Sequence, residues 1–455
     1  MTRQAFVARN VWFGTAAMLL SLSFASPANA VPSYARQTGL ACEACHTVFP
    51  QLTPFGRVFK ASGYTISNTA KVQDIDQTRR YLMSLSDTPP ISAMAIVSAG
   101  SSAKAADANS TKTSTDFPQQ LSLFYAGQIA DHVGAFAQLT YDDQSGTVGI
   151  DNTDIRFADV TTLYGQSVIY GVSVNNNPTV QDLWNSAPAW SQPFVTSPAM
   201  LAPGAATKLE GPFAQQVAGI SAYAFVNQSI YGELGVYRSA LQGASVAQNG
   251  NTTNDVITGV APYGRVAYEY DWGQNSWELG AFGLDATLHN PTTPAGSAVN
   301  QSLQLGPTDR FLDTAIDTQY QYITDEHQIT VTGRALHEDE RLDASSLFGF
   351  SANPANHLDS ENLVASYFWH REIGGSVGFF NLSGSNDGTY FGTTDGRPDA
   401  SWGQFEVDYV PWLNVKLGLQ YTAYTKFNGA TSNYDGNGRN ASDNNFIFGY
   451  LWIAY

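Results

Sequence analysis

Two cysteines and a histidine in one short segment have the types and spacing to do chemistry. The segment is GLACEACHTVF, residues 39–49, and it holds the only two cysteines among 455 residues. Two thiols three positions apart, followed at once by a histidine, form the pattern to which haem is attached covalently. Cys42 and Cys45 would add to the vinyl groups as thioethers, and His46 would become the proximal iron ligand. The sequence therefore predicts one covalent haem c.

Other uses of a Cys-x-x-Cys pair fit this sequence less well. A structural zinc ion takes four nitrogen or sulfur ligands, and no second cysteine pair or histidine cluster accompanies this one. A dithiol redox motif is expected next to a βαβ pattern, which is absent here. With both cysteines in one motif, no disulfide framework is available.

The residues after the motif predict a compact helix that positions it. Thr53 suits the N-cap, Pro54 the first helical position and Gly63 the C-terminal stop. One face of the helix is apolar and would either cover the haem or serve ordinary helix packing: Phe55, Val58 and Phe59. We predict a small α-helical haem c domain over residues 31–90, held in part by the haem and by its neighbour, because so short a unit buries little core.

The N-terminus predicts export. Arg3 and Arg9 precede a short apolar run, and Ala28-Asn29-Ala30 forms an A-x-A cleavage site. The run is too short for a retained membrane helix. We expect residues 1–30 to be a signal peptide cleaved after Ala30, and export is what haem c attachment requires in most bacteria.

The net charge of the chain restricts the classes of partner that it could bind. Losing the two signal-peptide arginines takes the formal net charge from −17 to −19. Such a charge argues against nucleic acid and anionic lipid faces as partners and favours cations or basic proteins. Charged residues make up 13% of the chain and aromatic residues also 13%, an unusual balance for a soluble protein.

Strict alternation of apolar and polar residues after residue 91 predicts β-strands. In LNVKLGLQYTAYTKF, Leu417, Leu419 and Tyr421 share one face, and Gln420 and Thr422 the other. Sixteen such strands are predicted, beginning near residues 91, 119, 133, 153, 166, 214, 229, 261, 276, 309, 327, 361, 374, 401, 413 and 444.

The links between these strands alternate between tight turns and long polar segments. That rhythm is typical of an outer-membrane barrel, with short periplasmic turns and long outer loops, and less so of a soluble β-sandwich or propeller. The last strand, NNFIFGYLWIAY, resembles the terminal signal of such barrels. We therefore predict an all-β fold, a 16-stranded antiparallel outer-membrane barrel over residues 91–455. Aromatic residues near strand ends would form its interface girdle: Tyr421, Trp272 and Trp452.

The third long link, residues 176–213, is the largest. It is the third long link along the chain, and in general porins the third loop folds inward and narrows the pore. It would either fold inward in the same way or remain an ordinary external loop.

The distal iron ligand is left open by the sequence. Met94 is the first candidate, because in ISAMAIVSAG it shares the inward face of the first strand with Ser92 and Ser98. Met83 is the second candidate, and a vacant or weakly bound sixth position is the third option. Three other histidines are interpreted as solvated polar residues at turns or in an outer loop: His132, His327 and His357.

Three segments resemble the fused outer-membrane cytochrome–porins, the single-haem iron oxidases of iron-oxidising bacteria. They are ARQTGLACEACHTVFPQLTPFGRVFKASGYT, PPISAMA and QDLWNSAPAW. The resemblance implies a haem domain in or at the barrel that takes electrons from Fe(II) outside and passes them to periplasmic cytochromes. Carried over, Cys42 and Cys45 hold the haem and His46 ligates its iron, whereas no motif for an iron-binding site transfers.

The sequence thus predicts an outer-membrane electron-transfer oxidoreductase that oxidises extracellular Fe(II), with periplasmic cytochrome c or another redox protein as acceptor. The alternatives are a haem-bearing porin for solutes and a conduit for another extracellular electron donor or acceptor. Acidic residues facing the lumen would either attract a cationic donor or merely keep the interior hydrated. They are Glu269, Asp271, Asp313, Asp317, Glu406 and Asp408. Outer-membrane lipid is the expected surrounding, and a trimer is a further expectation from the size of the barrel.

Overall fold

The fold is one closed antiparallel β-barrel with a helical segment inside it. The structure, a computed structural model, describes residues 32–65, 88–106, 110–143, 146–190, 192–241, 244–245, 256–289 and 307–455. Its long strands are β1 (Ile91–Ser102), β2 (Thr113–Ala130), β3 (Val133–Asp142), β4 (Thr147–Leu163), β5 (Gln166–Asn175), β6 (Val217–Val226), β7 (Ile230–Leu241), β8 (Ala261–Trp272), β9 (Asn275–His289), β10 (Thr308–Ile323), β11 (His327–Arg341), β12 (Ala355–Trp369), β13 (Ile373–Gly384), β14 (Ala400–Trp412), β15 (Val415–Lys426) and β16 (Phe446–Ala454).

The barrel closes between its first and last strands. β1 pairs with β16 from Met94 opposite Ala454 to Ser102 opposite Phe446, and it pairs with β2 on its other side. Every long strand is hydrogen-bonded to its two neighbours, so these strands leave no open sheet edge. The predicted 16-stranded antiparallel barrel is confirmed.

Links of two to three residues lie at one end of the barrel, the short-turn end, and all the longer links lie at the other, the long-link end. β2, β4 and β12 begin earlier than predicted, because these strands run further than the alternation suggested. β4 begins at Thr147, which shortens the expected link 142–152 to four residues, 143–146. β12 begins at Ala355, so His357 lies in a strand and not in an outer loop.

The barrel wall is apolar outside. On β15, Leu417 and Leu419 are 43% and 54% exposed, whereas the alternating Gln420 and Thr422 are buried. Trp452 belongs to the inward set of β16 with Phe448 and Tyr450, so its predicted place in the interface girdle was wrong. The girdle was predicted because Trp452 lies near a strand end. Side chains alternate between the two faces of a strand, however, and this alternation places Trp452 on the inward face.

Helices are short in the described residues. α1 (Pro32–Thr38), α2 (Cys42–Cys45) and α3 (Pro54–Ala61) precede the barrel, and α4 (Asp343–Leu347) and α5 (Gly388–Phe391) lie in long links. Short 3-10 turns are Pro188–Trp190, Lys208–Glu210 and Ala441–Asn444, and two-residue strands are Ala244–Ser245 and Val256–Ile257. None of the helices described has the length and apolar character needed to cross a membrane. The predicted signal peptide, its cleavage site and Met83 lie outside the described residues.

Candidate functional site

The Cys-x-x-Cys-His segment lies within residues 32–65, here called the helical unit. Cys42 and Cys45 begin and end α2, and one helical turn places their side chains on the same side. His46 caps this turn, and its backbone N–H donates to the carbonyl of Cys42 at 2.9 Å. Two sulfurs and an imidazole are therefore presented within five consecutive residues of ordered backbone.

α3 packs directly against α2 through a glycine. Thr53 caps α3 as predicted: its Oγ1 accepts from the Gly56 N–H at 3.1 Å and donates to the carbonyl of Ala44 at 2.6 Å. A Cβ on Gly56 would lie 2.2 Å from the carbonyl oxygen of Cys45. Only glycine therefore allows this approach, which sets the position of the cysteine pair relative to α3.

Buried polar contacts attach the helical unit to the barrel wall. Arg57 is 1% exposed, and its guanidinium donates to Glu269 at 2.7 Å and to Gln321 at 2.8 Å. Tyr64 donates to Asp154 at 2.6 Å from the other end of the unit. Because these partners lie on β8, β10 and β4, the unit is held across the lumen rather than along one strand.

Two cavities meet at His46. The first is bordered by Cys42, Cys45 and His46, and most of its remaining lining is apolar: Tyr34, Leu40, Phe49, Leu52, Phe59 and Trp190. The second, of about 340 Å³, shares Cys42 and His46 with the first and also reaches Met94 on β1. The imidazole thus borders space on the cysteine side and on the Met94 side.

The residues of the apolar face predicted for α3 do not all line the cavity. Phe59 lines the cavity beside the cysteines, as a haem cover would. Val58 instead packs against the buried cluster that contains Trp184, and Phe55 is 46% exposed. Of the three residues, one borders the cavity.

His46 and Cys45 are electrostatically neutral in this setting. Burial lowers the pKa of His46 to about 4, so the imidazole is uncharged near neutral pH, the form that binds metal ions. Burial, with a smaller contribution from Cys42, raises the pKa of the Cys45 thiol to about 11. Nδ1 of His46 is buried and has no hydrogen-bond partner among the described residues.

These residues fit a covalently bound haem. The thiols lie on one turn, a neutral imidazole follows them, and apolar space adjoins both. Met94, the first candidate for the distal ligand, borders the second cavity together with His46 but not the first cavity, which Cys45 lines. Within the described ranges no group of three or more His, Cys, Asp or Glu side chains is placed to hold a metal ion.

The third long link folds into the lumen. It spans residues 176–216, and Trp184 in its first part is fully buried, with its indole N–H donating to Glu269 at 2.6 Å. Asp182 in the same link pairs with Arg265 of β8 at 3.1 Å. Of the two alternatives for this link, inward folding is confirmed. We call residues 176–216 the inner link.

Three of the six predicted lumen-facing acids are engaged by the inner link or the helical unit. Asp313 accepts from the backbone N–H of Leu209 at 2.8 Å, and Asp317 accepts from Ser186 and from Arg265. Glu406 and Asp408 pair with Lys416 at 3.2 and 3.1 Å. Glu269 binds Arg57, and Asp271 is exposed at a strand end. Glu269, Asp313 and Asp317 therefore hold the lumen contents in place, whereas Glu406 and Asp408 are paired within the wall.

Sequence reasoning missed the basic residues that complete this interior. Arg57, Lys60, Arg156 and Arg265 are each at most 4% exposed. A signal existed, because Arg156 and Arg265 occupy the inward phase of predicted strands in a chain with few charges. The sequence does not show which acid each would meet.

A wide groove lies on the outside of the wall, away from the cysteines. Small outward-facing residues of β6 to β11 line it, including Ala222, Gly232, Gly264, Ala281 and Ala335. It faces the surroundings of the barrel and not the lumen.

Comparisons with known proteins concern the barrel. No protein-family model and no curated protein matches this chain. Among solved structures, OmpT of Vibrio cholerae is 9% identical, with a TM-score of 0.45 over 80% of this chain and 97% of that chain. The outer membrane channel DcaP of Acinetobacter baumannii is 11% identical, with a TM-score of 0.45 over 80% and 96%. An anion-selective porin from Comamonas acidovorans is 13% identical, with a TM-score of 0.41 over 80% and 98%.

Proposed function

We propose that this chain is an outer-membrane c-type cytochrome that oxidises extracellular Fe(II) and passes the electrons to a periplasmic cytochrome c or another redox protein. The observation that carries the proposal is the position of Cys42, Cys45 and His46 inside a closed barrel, at the junction of two cavities. A redox centre at this place would lie between the two sides of an insulating membrane.

The outer face of the barrel wall is suited to the outer membrane. Apolar side chains cover its outer face, and a closed barrel satisfies its backbone without water. By the usual arrangement of such barrels, the short-turn end faces the periplasm and the long-link end faces outward. Lipid and a second copy of the chain are the partners proposed for the outer face, with a trimer as the expected assembly.

Each site residue has a separate task in this proposal. Cys42 and Cys45 would hold the haem through thioethers, His46 would bind its iron, and Met94 would be the first candidate for a second iron ligand. Phe59 and the inner link keep water from the cavity. When bound, the haem would supply the one-electron centre: Fe(II) outside loses one electron to become Fe(III), and the periplasmic acceptor gains one.

Negative charge on the long links supports a cationic donor. Backbone N–H groups of Arg439 and Asn437 hold the pKa of Asp435 below its usual range, and the N–H of Asn440 does the same for Asp443. Asp443 also pairs with Lys104 at 3.3 Å, so Asp435 is the one of these two carboxylates that would attract a cation, and it remains charged in mildly acidic surroundings.

A haem-bearing porin for solutes is the second candidate, and the cavity of about 340 Å³ beside the helical unit favours it. Polar side chains contribute to its lining, among them Gln120, Gln138, Asp151 and Asn152. A conduit for another donor or acceptor differs from the first proposal only in its partner.

Spectroscopy of the detergent-extracted, haem-loaded protein tests the proposal. Anaerobic stopped-flow mixing of the oxidised protein with Fe(II) should produce reduced c-type absorption bands. The bands should be absent in His46→Ala and retained in His132→Ala, a matched change at an exposed turn. A covalent haem that stays oxidised, together with solute flux through reconstituted barrels, would favour the porin.

A further inference from the structure

Lys60 is a buried cation beside the candidate haem cavity. It lies on α3, is 4% exposed and lines the same cavity as Cys45 and His46. Its Nζ donates to the carbonyl oxygens of Val180 at 2.8 Å and Asp182 at 2.6 Å, and to the Asn185 side-chain oxygen at 3.4 Å. All three oxygens are neutral acceptors and the contact to Asn185 is long, so the ammonium group has no close anion and one of its N–H groups is only weakly engaged.

The acids around Lys60 already have other partners. Asp154 pairs with Arg156 at 2.7 Å, and Asp182 pairs with Arg265 at 3.1 Å. Glu233 on β7 accepts from Tyr231 at 2.8 Å and from Ser221. Among the described residues, none of these carboxylates forms an ion pair with Nζ.

The surroundings confirm that the charge is poorly compensated. Burial, with a further contribution from Arg156, lowers the pKa of Lys60 to about 7, although Asp154, Asp182 and Glu233 partly oppose the shift. A buried ammonium group without a paired anion is costly, because its desolvation is not offset by a close opposite charge. Asn185 and Trp190 line the same cavity next to Lys60, and Nζ lies 4.9 Å from the centre of the Trp190 ring.

We propose that Lys60 is the counter-ion for a carboxylate ligand in the cavity, namely a propionate of the haem. The inference rests on the proposed function, because it takes the haem as the ligand of Cys42 and Cys45. Haem carries two propionates on one edge, and an ammonium group in an otherwise largely apolar cavity is suited to hold one of them. Lys60 is then a positioning residue that orients the haem and sets the local charge.

The reduction potential of the full-length, haem-loaded protein provides the test. Lys60→Met removes the cation and leaves the propionate charge uncompensated, which favours oxidised iron. The midpoint potential should fall enough to change the ferrous-to-ferric ratio at a fixed electrode potential by about tenfold, or about 59 mV for one electron. It should also become more dependent on pH, since the unpaired propionate then titrates closer to neutral pH.

Two further variants make the result specific. Lys60→Arg keeps the charge and should restore a potential near that of the unaltered protein. Lys426→Met removes a lysine that pairs with Asp399 at the long-link end and should leave the potential unchanged. If Lys60→Met does not fold, Lys60→Gln, which keeps two N–H donors, replaces it with the same expectation.

Mass spectrometry of each protein separates the two ways of failing. A mass without covalent haem in the unaltered protein would overturn the proposed function and this inference together. Haem present in full amount, with the same potential and pH dependence in Lys60→Met as in the unaltered protein, would overturn the role of Lys60 alone.

Discussion

The two faces of β8 differ in the exposure and in the partners of their side chains. Arg265 and Glu269 point into the lumen, are at most 2% exposed and bind charged or polar partners. Val266, Tyr268 and Tyr270 point outward and are 63%, 46% and 53% exposed. The inward face of this strand is thus polar and buried, whereas its outward face is apolar and exposed. Exposure on this molecule therefore does not indicate a surface meant for water, and burial does not indicate an apolar core.

The largest expected effect comes from breaking the polar interior. Arg265→Met leaves Asp182, Glu278 and Asp317 without the cation they share. Uncompensated buried charge should lower the free energy of unfolding by about 3–5 kcal/mol and release the inner link. Denaturant unfolding and limited proteolysis of the inner link measure the two effects.

Arg310→Met is the control for that change. Arg310 pairs with Asp285 at 2.6 Å, but the arginine side chain is 53% exposed, so its loss should cost about 1 kcal/mol or less. Equal losses for Arg265→Met and Arg310→Met would show that the interior charges contribute no more than surface pairs.

Adding a charge to the apolar outer face should lower the stability of the barrel in lipid. Leu419→Arg on β15 places a cation among outward apolar residues, at a cost of about 2–4 kcal/mol if the position lies deep in the bilayer. Unfolding from lipid vesicles measures this cost. The same change at Leu347, which is 69% exposed on α4 in a long link, should be nearly neutral. A neutral result at both sites would argue that lipid does not cover β15.

Gly56→Ala tests whether the close contact between α2 and α3 is needed inside the helical unit. The added Cβ would meet the Cys45 carbonyl, and relieving this contact should cost about 1–3 kcal/mol and reduce the fraction of chains that carry covalent haem. Intact-mass analysis gives that fraction. Gly232→Ala is the control, because a Cβ there would have nothing within 4 Å. Unchanged attachment in Gly56→Ala would mean that α2 and α3 can separate without loss.

The smallest effect concerns a charge in a long link. Hydrogen bonds from Ser351 and from the N–H groups of Asn353, Ala352 and Tyr390 outweigh burial and hold the pKa of Asp387 well below its ordinary value of 3.8. A lowered pKa in the folded state adds stability that is complete above 3.8 and is lost as the pH falls through the lower folded value.

Asp387→Asn should therefore lower stability by about 1 kcal/mol or less near neutral pH, and the difference from the unaltered protein should shrink in acid. Hydrogen exchange of residues 351–356 as a function of pH measures it. The same change at exposed Asp325, in a turn at the short-turn end, should leave the stability nearly unchanged. A difference that stays constant down to strongly acidic pH would contradict the assignment.

Much of the barrel could be predicted from the sequence because a strand side chain repeats every two residues. The outward set Leu417, Leu419 and Tyr421 followed from alternation alone. Strand ends were less predictable: β2 begins at Thr113 instead of near 119, since polar residues beyond the apolar band continue the backbone ladder. The ladder depends on backbone hydrogen bonds, and these have no signature in side-chain polarity.

At the candidate site, the sequence by itself determined the chemistry: two thiols and an imidazole in Cys42-x-x-Cys45-His46, and a helix begun by Thr53 and Pro54. Both are local patterns, since one turn of backbone suffices to bring the groups together. Only the tertiary structure decided that the inner link enters the lumen, that Trp452 faces inward, and that Lys60 lies beside the cavity without a paired acid. Those outcomes depend on contacts between residues 100 or more positions apart, such as Lys60 with Val180, and on the competition of several acids for few cations. Such competition is settled by distance in the folded chain, which residue types and spacing do not contain.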